Sequence, residues 1–280
     1  MGNPLVDYAG PSDTAGPFAR LTLDSPHNRN ALSTTLVTEL HAGLRNAAAD
    51  PAVRAVVLGH TGGTFCAGAD LSAAGGATET GEAGEAGGSG SPGSAYDLAV
   101  ARGEEMVALL RAIVETPLPV IGAVNGHVRA GGLGLVGACD IVVAGPRSTF
   151  ALTEARIGVA PAIISLTLLP KLSARAASRY YLTGETFGPD RAAEIGLVTI
   201  AADDVEVAVA GLVADAGRGS PQGLAASKAL TTAAVLAGFD RDAERLAADS
   251  ARLFVSDEAR EGMLAFLQKR PPSWVSPADT

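Results

Sequence analysis

Residues 119–144 read PVIGAVNGHVRAGGLGLVGACDIVVA, and this stretch decides the class of fold. An apolar run of strand length, residues 119–124, leads into a glycine-containing segment, and a second apolar run, residues 140–144, follows directly. Strand-to-helix units of this kind are typical of parallel strands joined by crossover helices. The stretch therefore predicts one unit of an α/β fold.

Earlier residues show the same organisation. Residues 18–24 alternate apolar and polar side chains as a half-buried strand does. Ser33 then opens a helical pattern, since the apolar residues that follow it recur at helical spacing. A second β-rich run, residues 53–59, leads into TGGTFCAGADL at residues 61–71. Repetition of the unit predicts an α/β fold with several parallel strands.

The composition changes twice along the chain. Between residues 73 and 95 it is dominated by Gly, Ala, Ser and Glu without an apolar period, which predicts a flexible loop. From residue 203 strand patterns disappear, and amphipathic helices are predicted over residues 205–216, 221–237, 241–254 and 257–268. We therefore divide the chain into a core, residues 1–204, and a helical C-terminal region, residues 205–280. That region is too thin to hold a core alone, so it should pack on the first part or on a neighbouring subunit.

Composition and charge exclude several classes of partner. The 280 residues carry a formal net charge of −9, which argues against a nucleic-acid partner or an anionic membrane surface. The apolar runs are far shorter than the ~20 residues that span a bilayer. Cys66 and Cys139 are too few for a disulfide framework, and the N-terminus lacks a signal-peptide pattern, so we expect a cytoplasmic protein. No His, Cys or carboxylate cluster has metal-ligand spacing, and no metal site is expected.

Two segments with small residues follow predicted strands: FCAGADL at residues 65–71 and NGHVRAGG at residues 125–132. Small residues let the backbone approach a ligand closely, and a helix that begins at such a segment leaves its first N–H groups without internal partners. These groups could stabilise an oxyanion, although close packing of two backbones would need the same residues. A phosphate-binding GxxxxGK[ST] loop and a GxSxG nucleophile turn are both absent from the sequence.

Five ordered segments together resemble the crotonase, or enoyl-CoA hydratase/isomerase, superfamily. They are FCAGADL (65–71), AVNGHVRAGGLGLVGACDIVVA (123–144), FALTEARIGVAP (150–161), LTGETFGPDRAAEIGLV (182–198) and SDEAREGMLAFLQKRPP (256–272). The resemblance implies a crotonase-like spiral of ββα units with a helical C-terminal region, assembled as a homotrimer or a dimer of trimers. It also implies an acyl-CoA thioester substrate, so that coenzyme A is part of the substrate and no separate cofactor is expected.

By motif position, the resemblance assigns three catalytic residues. Ala69 and Gly131 take the places of the two backbone N–H donors of the oxyanion hole. Glu154 takes the place of the second of the two glutamates that hold the water and move its protons. The place of the first glutamate is held by Gly134, which cannot move a proton.

The loss of one carboxylate leaves two reactions open. Glu154 could activate water for addition to a 2-enoyl-CoA, or it could move a proton between C2 and C4 of a 3-enoyl-CoA, as single-glutamate isomerases of the superfamily do. The segment RIGVAPAIIS (156–165) resembles the bacterial methylglutaconyl-CoA hydratase-like branch, which favours hydration. We therefore predict an enoyl-CoA hydratase. An acyl-CoA-binding protein without activity and a thioester hydrolase are the alternatives from other classes.

The remaining predicted site residues would bind the acyl-CoA. Lys269 would offer a point charge to phosphate, and the C-terminal helix that precedes it often comes from the adjacent subunit in this superfamily. Asp70 could also cap a helix. The full predicted set for substrate binding is Ala67, Asp70, Leu71, Ser72, Gly132, Pro161, Phe266 and Lys269.

Overall fold

The computed structural model describes residues 3–14, 16–69 and 94–276. The strands in this part of the chain are β1 (Val6–Ala9), β2 (Phe18–Leu23), β3 (Ala55–His60), β4 (Thr64–Cys66), β5 (Val120–Val124), β6 (His127–Arg129), β7 (Ile141–Ala144), β8 (Thr149–Ala151) and β9 (Ile200–Ala201). The helices are α1 (Pro11–Thr14), α2 (Thr34–Ala49), α3 (Ala95–Glu115), α4 (Gly131–Ala138), α5 (Ser165–Leu168), α6 (Ala174–Thr183), α7 (Pro189–Glu194), α8 (Val205–Gly217), α9 (Pro221–Phe254) and α10 (Asp257–Leu267). Two 3₁₀ turns span Pro26–Asn28 and Glu154–Ile157.

The strands form two sheets in the described residues. The larger has the order β1-β2-β3-β5-β7-β9, parallel except for β1, and the smaller has the order β4-β6-β8, parallel throughout. Each of the pairs β3–β4, β5–β6 and β7–β8 places one strand in the large sheet and the next in the small one. This alternation is the predicted spiral of ββα units, and the predicted parallel pairing is confirmed.

The apolar pattern of the sequence explains how the large sheet is covered. In β3, Val56 and Leu58 face a core that helix α2 covers, whereas Ala55 and Val57 face the other side of the sheet. Successive side chains of a strand point to opposite faces, so a strand covered on both sides must be apolar throughout. Helix α2 begins as predicted, because the Ser33 hydroxyl accepts a hydrogen bond from the N–H of Leu36 at 3.3 Å.

The helical C-terminal region packs on the rest of the chain. Buried valines of α8 cover the second face of the large sheet, and α9 lies along α3. Lys228 of α9 is buried, and its ammonium group donates to the carbonyls of Ile113 and Leu118 and pairs with Asp140 at 2.8 Å. The boundary between residues 204 and 205 stays a prediction.

Two predicted boundaries are wrong. The helices predicted over residues 221–237 and 241–254 are one continuous helix, α9. Gly238 lies between the two predicted helices, and a glycine inside a helix costs about 1 kcal/mol relative to alanine. The neighbouring Phe239 is fully buried, and its burial stabilises the helix at this point. Of the loop predicted over residues 73–95, residues 73–93 lie outside the described part, and Ala95 already belongs to α3, which Ser94 caps.

None of the described helices combines the length and the apolar character needed to cross a membrane. The cytoplasmic location stays a prediction. Both cysteines are buried, and burial raises the pKa of each thiol to about 12. They pack as small apolar residues, in agreement with their number being too small for a disulfide framework.

Candidate active site

The two small-residue segments meet in the structure. Gly68 has a φ of 94°, a conformation that favours glycine, and a Cβ added there would lie 2.8 Å from the Cβ of Ala130 and 3.2 Å from the nitrogen of Gly131. A larger residue at position 68 would therefore push the two segments apart. Ala69 continues this segment and forms a parallel bridge with Leu32. The structure thus brings both predicted oxyanion donors to one place.

Gly131 begins helix α4, within the segment where the sequence allows a helix start. The residue before it, Ala130, has a φ of 44°, which is strained for a residue with a side chain. The first N–H groups of a helix have no partners within the helix, and the N-terminus carries the positive end of its dipole. No acceptor within the described ranges receives a hydrogen bond from the N–H of Gly131 or of Ala69. Both groups are chemically suited to hold a negatively charged oxygen.

Glu154 is the first residue of the 3₁₀ turn that follows β8. Its side chain is buried, with 7% of the residue exposed, and its Oε2 atom has no hydrogen-bond partner among the described residues. Burial raises the pKa of this carboxyl to about 7, and a hydrogen bond from its own backbone N–H offsets part of that effect. A carboxyl group with this pKa can both accept and return a proton near neutral pH.

The place of the missing glutamate is filled by apolar side chains. A Cβ added to Gly134 in α4 would lie 2.6 Å from Cγ2 of Ile164 and 3.2 Å from Cε of Met106. The same methionine carbon would lie 3.4 Å from a Cβ on Gly131. No side chain fits at position 134 unless Ile164 moves. The described site therefore has a closed apolar wall at position 134, the predicted place of the first glutamate.

The predicted acyl-CoA contacts in and next to the two small-residue segments differ in what the structure describes. Asp70, Leu71 and Ser72 lie outside the described residues. Ala67 donates its N–H to the carbonyl of Arg29 at 3.1 Å, so the carbonyl of Ala67 is the group that it can offer to a ligand. Gly132 is buried against Cys66, where a Cβ would lie 2.7 Å from the carbonyl oxygen. That contact explains why the position needs glycine.

The other predicted contacts are one buried residue and two residues on the outer surface. Pro161 is buried, and its carbonyl accepts a hydrogen bond from Ser165 Oγ at 2.7 Å. Phe266 lies at the end of α10 with 56% of the residue exposed, and Lys269 is exposed beyond it. Helix α10 packs on the 3₁₀ turn that Glu154 begins, but Phe266 in its last turn and Lys269 beyond it are both exposed.

Sequence reasoning missed several residues around the site. Helix α3, which places Met106 against Gly134, was not predicted. The low-complexity segment before it gives no signal of where the helix begins. Ile164 and Ser165 were read as part of a motif but not as site residues. Tyr181 lies in α6, which packs against the turn of Glu154, and it was also missed. Two consecutive tyrosines give no signal of which hydroxyl contacts Ser165. Among the described residues no three His, Cys, Asp or Glu side chains are grouped as metal ligands would be, and the absence of a metal site stays a prediction.

Comparison with known proteins agrees with this geometry. The sequence model of the enoyl-CoA hydratase/isomerase family matches residues 14–277. The chain belongs to this family. It is therefore an enzyme of the crotonase superfamily, and enoyl-CoA hydratases are lyases. The narrower resemblance to the methylglutaconyl-CoA hydratase-like branch stays a prediction.

Individual relatives of the enoyl-CoA hydratase/isomerase family support the same assignment. The crystal structure of an enoyl-CoA hydratase from Mycobacterium avium is 71% identical, with a TM-score of 0.88, and the match covers 98% of this chain and 100% of that one. The 2,3-dehydroadipyl-CoA hydratase of Escherichia coli is 31% identical over 261 residues, 91% of this chain and 93% of the relative. The carnitinyl-CoA hydratase of Mycobacterium avium is 28% identical, with a TM-score of 0.78, over 98% and 99% of the two chains.

Proposed function

We propose that this enzyme adds water across the C2–C3 double bond of a 2-enoyl-CoA thioester. The Glu154 carboxylate takes one proton from water as the water oxygen bonds to C3. The displaced electron pair moves to the thioester oxygen, which the N–H groups of Ala69 and Gly131 stabilise as an enolate. Protonated Glu154 then returns a proton to C2, and the thioester carbonyl forms again.

One observation carries this proposal: the Glu154 carboxyl is buried, and its Oε2 atom has no partner in the described part of the chain. A buried polar group without a hydrogen bond costs free energy, so a purely structural glutamate would be a poor choice at this position. The cost is explained if the group exchanges protons with water and substrate. Relatives named enoyl-CoA hydratase or carrying the name of a specific hydratase support the same class of reaction.

The substitution Glu154→Gln tests the role of this carboxyl, because it keeps the shape of the side chain and removes the proton exchange. We expect the rate of hydration of a 2-enoyl-CoA to fall by roughly 10²- to 10⁴-fold, the usual contribution of a general acid–base group. Glu206→Gln is the matched control, since Glu206 lies on the surface in an exposed pair with Arg20. Unchanged turnover in Glu154→Gln would exclude this residue as the proton carrier.

The closed wall at Gly134 favours one second candidate, a 3,2-enoyl-CoA isomerase that uses Glu154 alone. Proton transfer between C2 and C4 needs one carboxylate and no bound water. Incubation with a 2-enoyl-CoA and, separately, with a 3-enoyl-CoA distinguishes the two reactions by their products. Conversion of the 3-enoyl-CoA without any water addition to the 2-enoyl-CoA would replace the hydratase by the isomerase. Release of free CoA thiol would indicate thioester hydrolysis instead.

For the CoA part of the substrate, we propose contacts from Ala67, Asp70, Leu71 and Ser72 on one side. Gly132 and Pro161 would lie beside the thioester. Phe266 and Lys269 would complete the site from an adjacent subunit of a homotrimer or a dimer of trimers. Their exposure at the end of α10 supports this, because an apolar ring and a cation on the outside of one chain are free to contact a neighbour.

A further inference from the structure

A hydrogen-bonded pair of hydroxyl groups, from Ser165 and Tyr181, is not used by the chemistry above. The Ser165 Oγ atom lies 2.7 Å from the carbonyl oxygen of Pro161 and 3.2 Å from the hydroxyl oxygen of Tyr181. A serine hydroxyl has one proton, and the carbonyl can only accept. Ser165 therefore donates to Pro161, and Tyr181 must donate its own proton to Ser165. The phenol oxygen of Tyr181 is left with lone pairs to offer.

Helix α6, which carries the phenol of Tyr181, packs against the 3₁₀ turn that Glu154 begins. Arg156 in that turn donates two hydrogen bonds, at 3.1 and 2.9 Å, to the carbonyl of Thr183 at the end of α6. The negative charge of Glu154 also contributes to raising the pKa of Tyr181, to about 12, after the larger effect of burial. Tyr181 thus stays protonated and neutral under ordinary conditions.

The segment that contains Ser165 also occupies the predicted place of the first glutamate. Ile164 fills the space against Gly134, and its neighbour Ser165 holds the phenol. A water molecule that adds to C3 must give one hydrogen to Glu154 and needs an acceptor for its other hydrogen, so that its lone pair faces the carbon. In relatives with two glutamates, a second carboxylate is available beside the water. In this chain the described wall offers no carboxylate at position 134.

We propose that the phenol oxygen of Tyr181, held in place by Ser165, accepts the second hydrogen of the reacting water and orients it toward C3. This inference rests on the proposed hydration. One water hydrogen passes to Glu154 and later to C2, whereas the other stays on the oxygen and becomes the hydroxyl hydrogen of the product. Tyr181 keeps its own proton throughout. It is a water-positioning residue and not a general acid.

The test compares two reactions of the full-length enzyme that need Glu154 but differ in their need for water. Hydration of a 2-enoyl-CoA needs the oriented water. Exchange of the C2 protons of a saturated acyl-CoA with solvent deuterium needs only Glu154 and the oxyanion donors. In Tyr181→Phe we expect hydration to fall about 10- to 100-fold while the exchange rate stays within about threefold of wild type. Ser165→Ala, which keeps the aromatic ring, should shift the ratio of the two rates in the same direction.

Tyr180→Phe is the matched control, since it removes the neighbouring hydroxyl, which accepts a hydrogen bond from Arg191 at 3.1 Å. Its ratio of hydration to exchange should equal that of wild type. Equal losses of both reactions in Tyr181→Phe would show a merely structural role, and no loss would also overturn the proposal. If wild type exchanges C2 protons but adds no water, the hydratase assignment itself fails, and the role of Tyr181 fails with it.

Discussion

At the scale of single residues, Glu154 couples function to stability. Its carboxyl lies in a site that disfavours the charged form, so the protein loses stability when the group ionises. The pKa in the folded state, about 7, is above the ordinary value of 4.5 that we take for the unfolded chain. The stabilising contribution of the neutral carboxyl is therefore fully present below pH 4.5 and is lost as the pH rises to about 7.

We predict that replacing the Glu154 carboxyl raises the free energy of unfolding by an amount that depends on pH. In Glu154→Gln the titration is absent, so the variant should equal or exceed wild type at pH 8, by up to about 3 kcal/mol in the free energy of unfolding. At pH 4.5 most of this difference should disappear, because the wild-type carboxyl is then neutral in the folded state and half protonated in the unfolded state. Urea unfolding of both proteins at the two pH values measures the effect. A difference that does not change with pH would show that Glu154 is not buried as described.

At the scale of elements, the fit between α4 and the segment that carries Ile164 decides what the site can contain. Helix α4 has glycine at positions 131, 132, 134 and 137, and all but the first are buried. Such a helix lets neighbouring backbone and side chains approach closely, at a cost in helix propensity. The close approach of Ile164 to α4 leaves no space for a carboxylate at position 134. The packing of this one helix therefore determines which catalytic groups the site can contain.

Two glycine-to-alanine substitutions test this packing. Gly134→Ala should destabilise the protein by about 1–3 kcal/mol, because the added methyl group would lie 2.6 Å from Ile164 Cγ2. Gly238→Ala in α9 is the control, since no atom lies within 4 Å of its added methyl group. There the same change should stabilise the helix by about 0.5–1 kcal/mol. Thermal unfolding gives both values, and a stabilising Gly134→Ala would contradict the closed wall.

At the scale of the whole molecule, the described chain leaves apolar side chains exposed near its C-terminus. Leu264, Phe266 and Leu267 of α10 and Trp274 beyond it are all exposed. Several apolar residues grouped on a surface usually mark an interface, whereas single ones do not. They support the proposed assembly, in which this end of one chain meets the acyl-CoA site of another.

Sedimentation velocity tests the assembly directly. We expect a species of three or six times the 28.0 kDa mass of one chain. Phe266→Asp should shift the distribution toward smaller species and raise KM for the acyl-CoA, because a charge would be buried at the interface. A wild-type protein that sediments as a monomer and still turns over its substrate would contradict the contribution of Phe266 and Lys269 from a neighbour.

The sequence by itself determined the parallel α/β arrangement and the presence of a helix after the small-residue segment 125–132. It also determined that a glycine stands at position 134, the predicted place of the first glutamate. Apolar periodicity, small-residue turns and residue identity can all be read from the sequence because they are local properties. The tertiary structure alone decided that Gly68 and Gly131 touch, that Ile164 closes the place beside Gly134, and that Ser165 contacts the hydroxyl of Tyr181. It also decided the continuity of α9 through Gly238, because burial of Phe239 outweighs a local helix-breaking tendency. Contacts between residues far apart in the chain depend on how whole elements pack, and no local pattern encodes that packing.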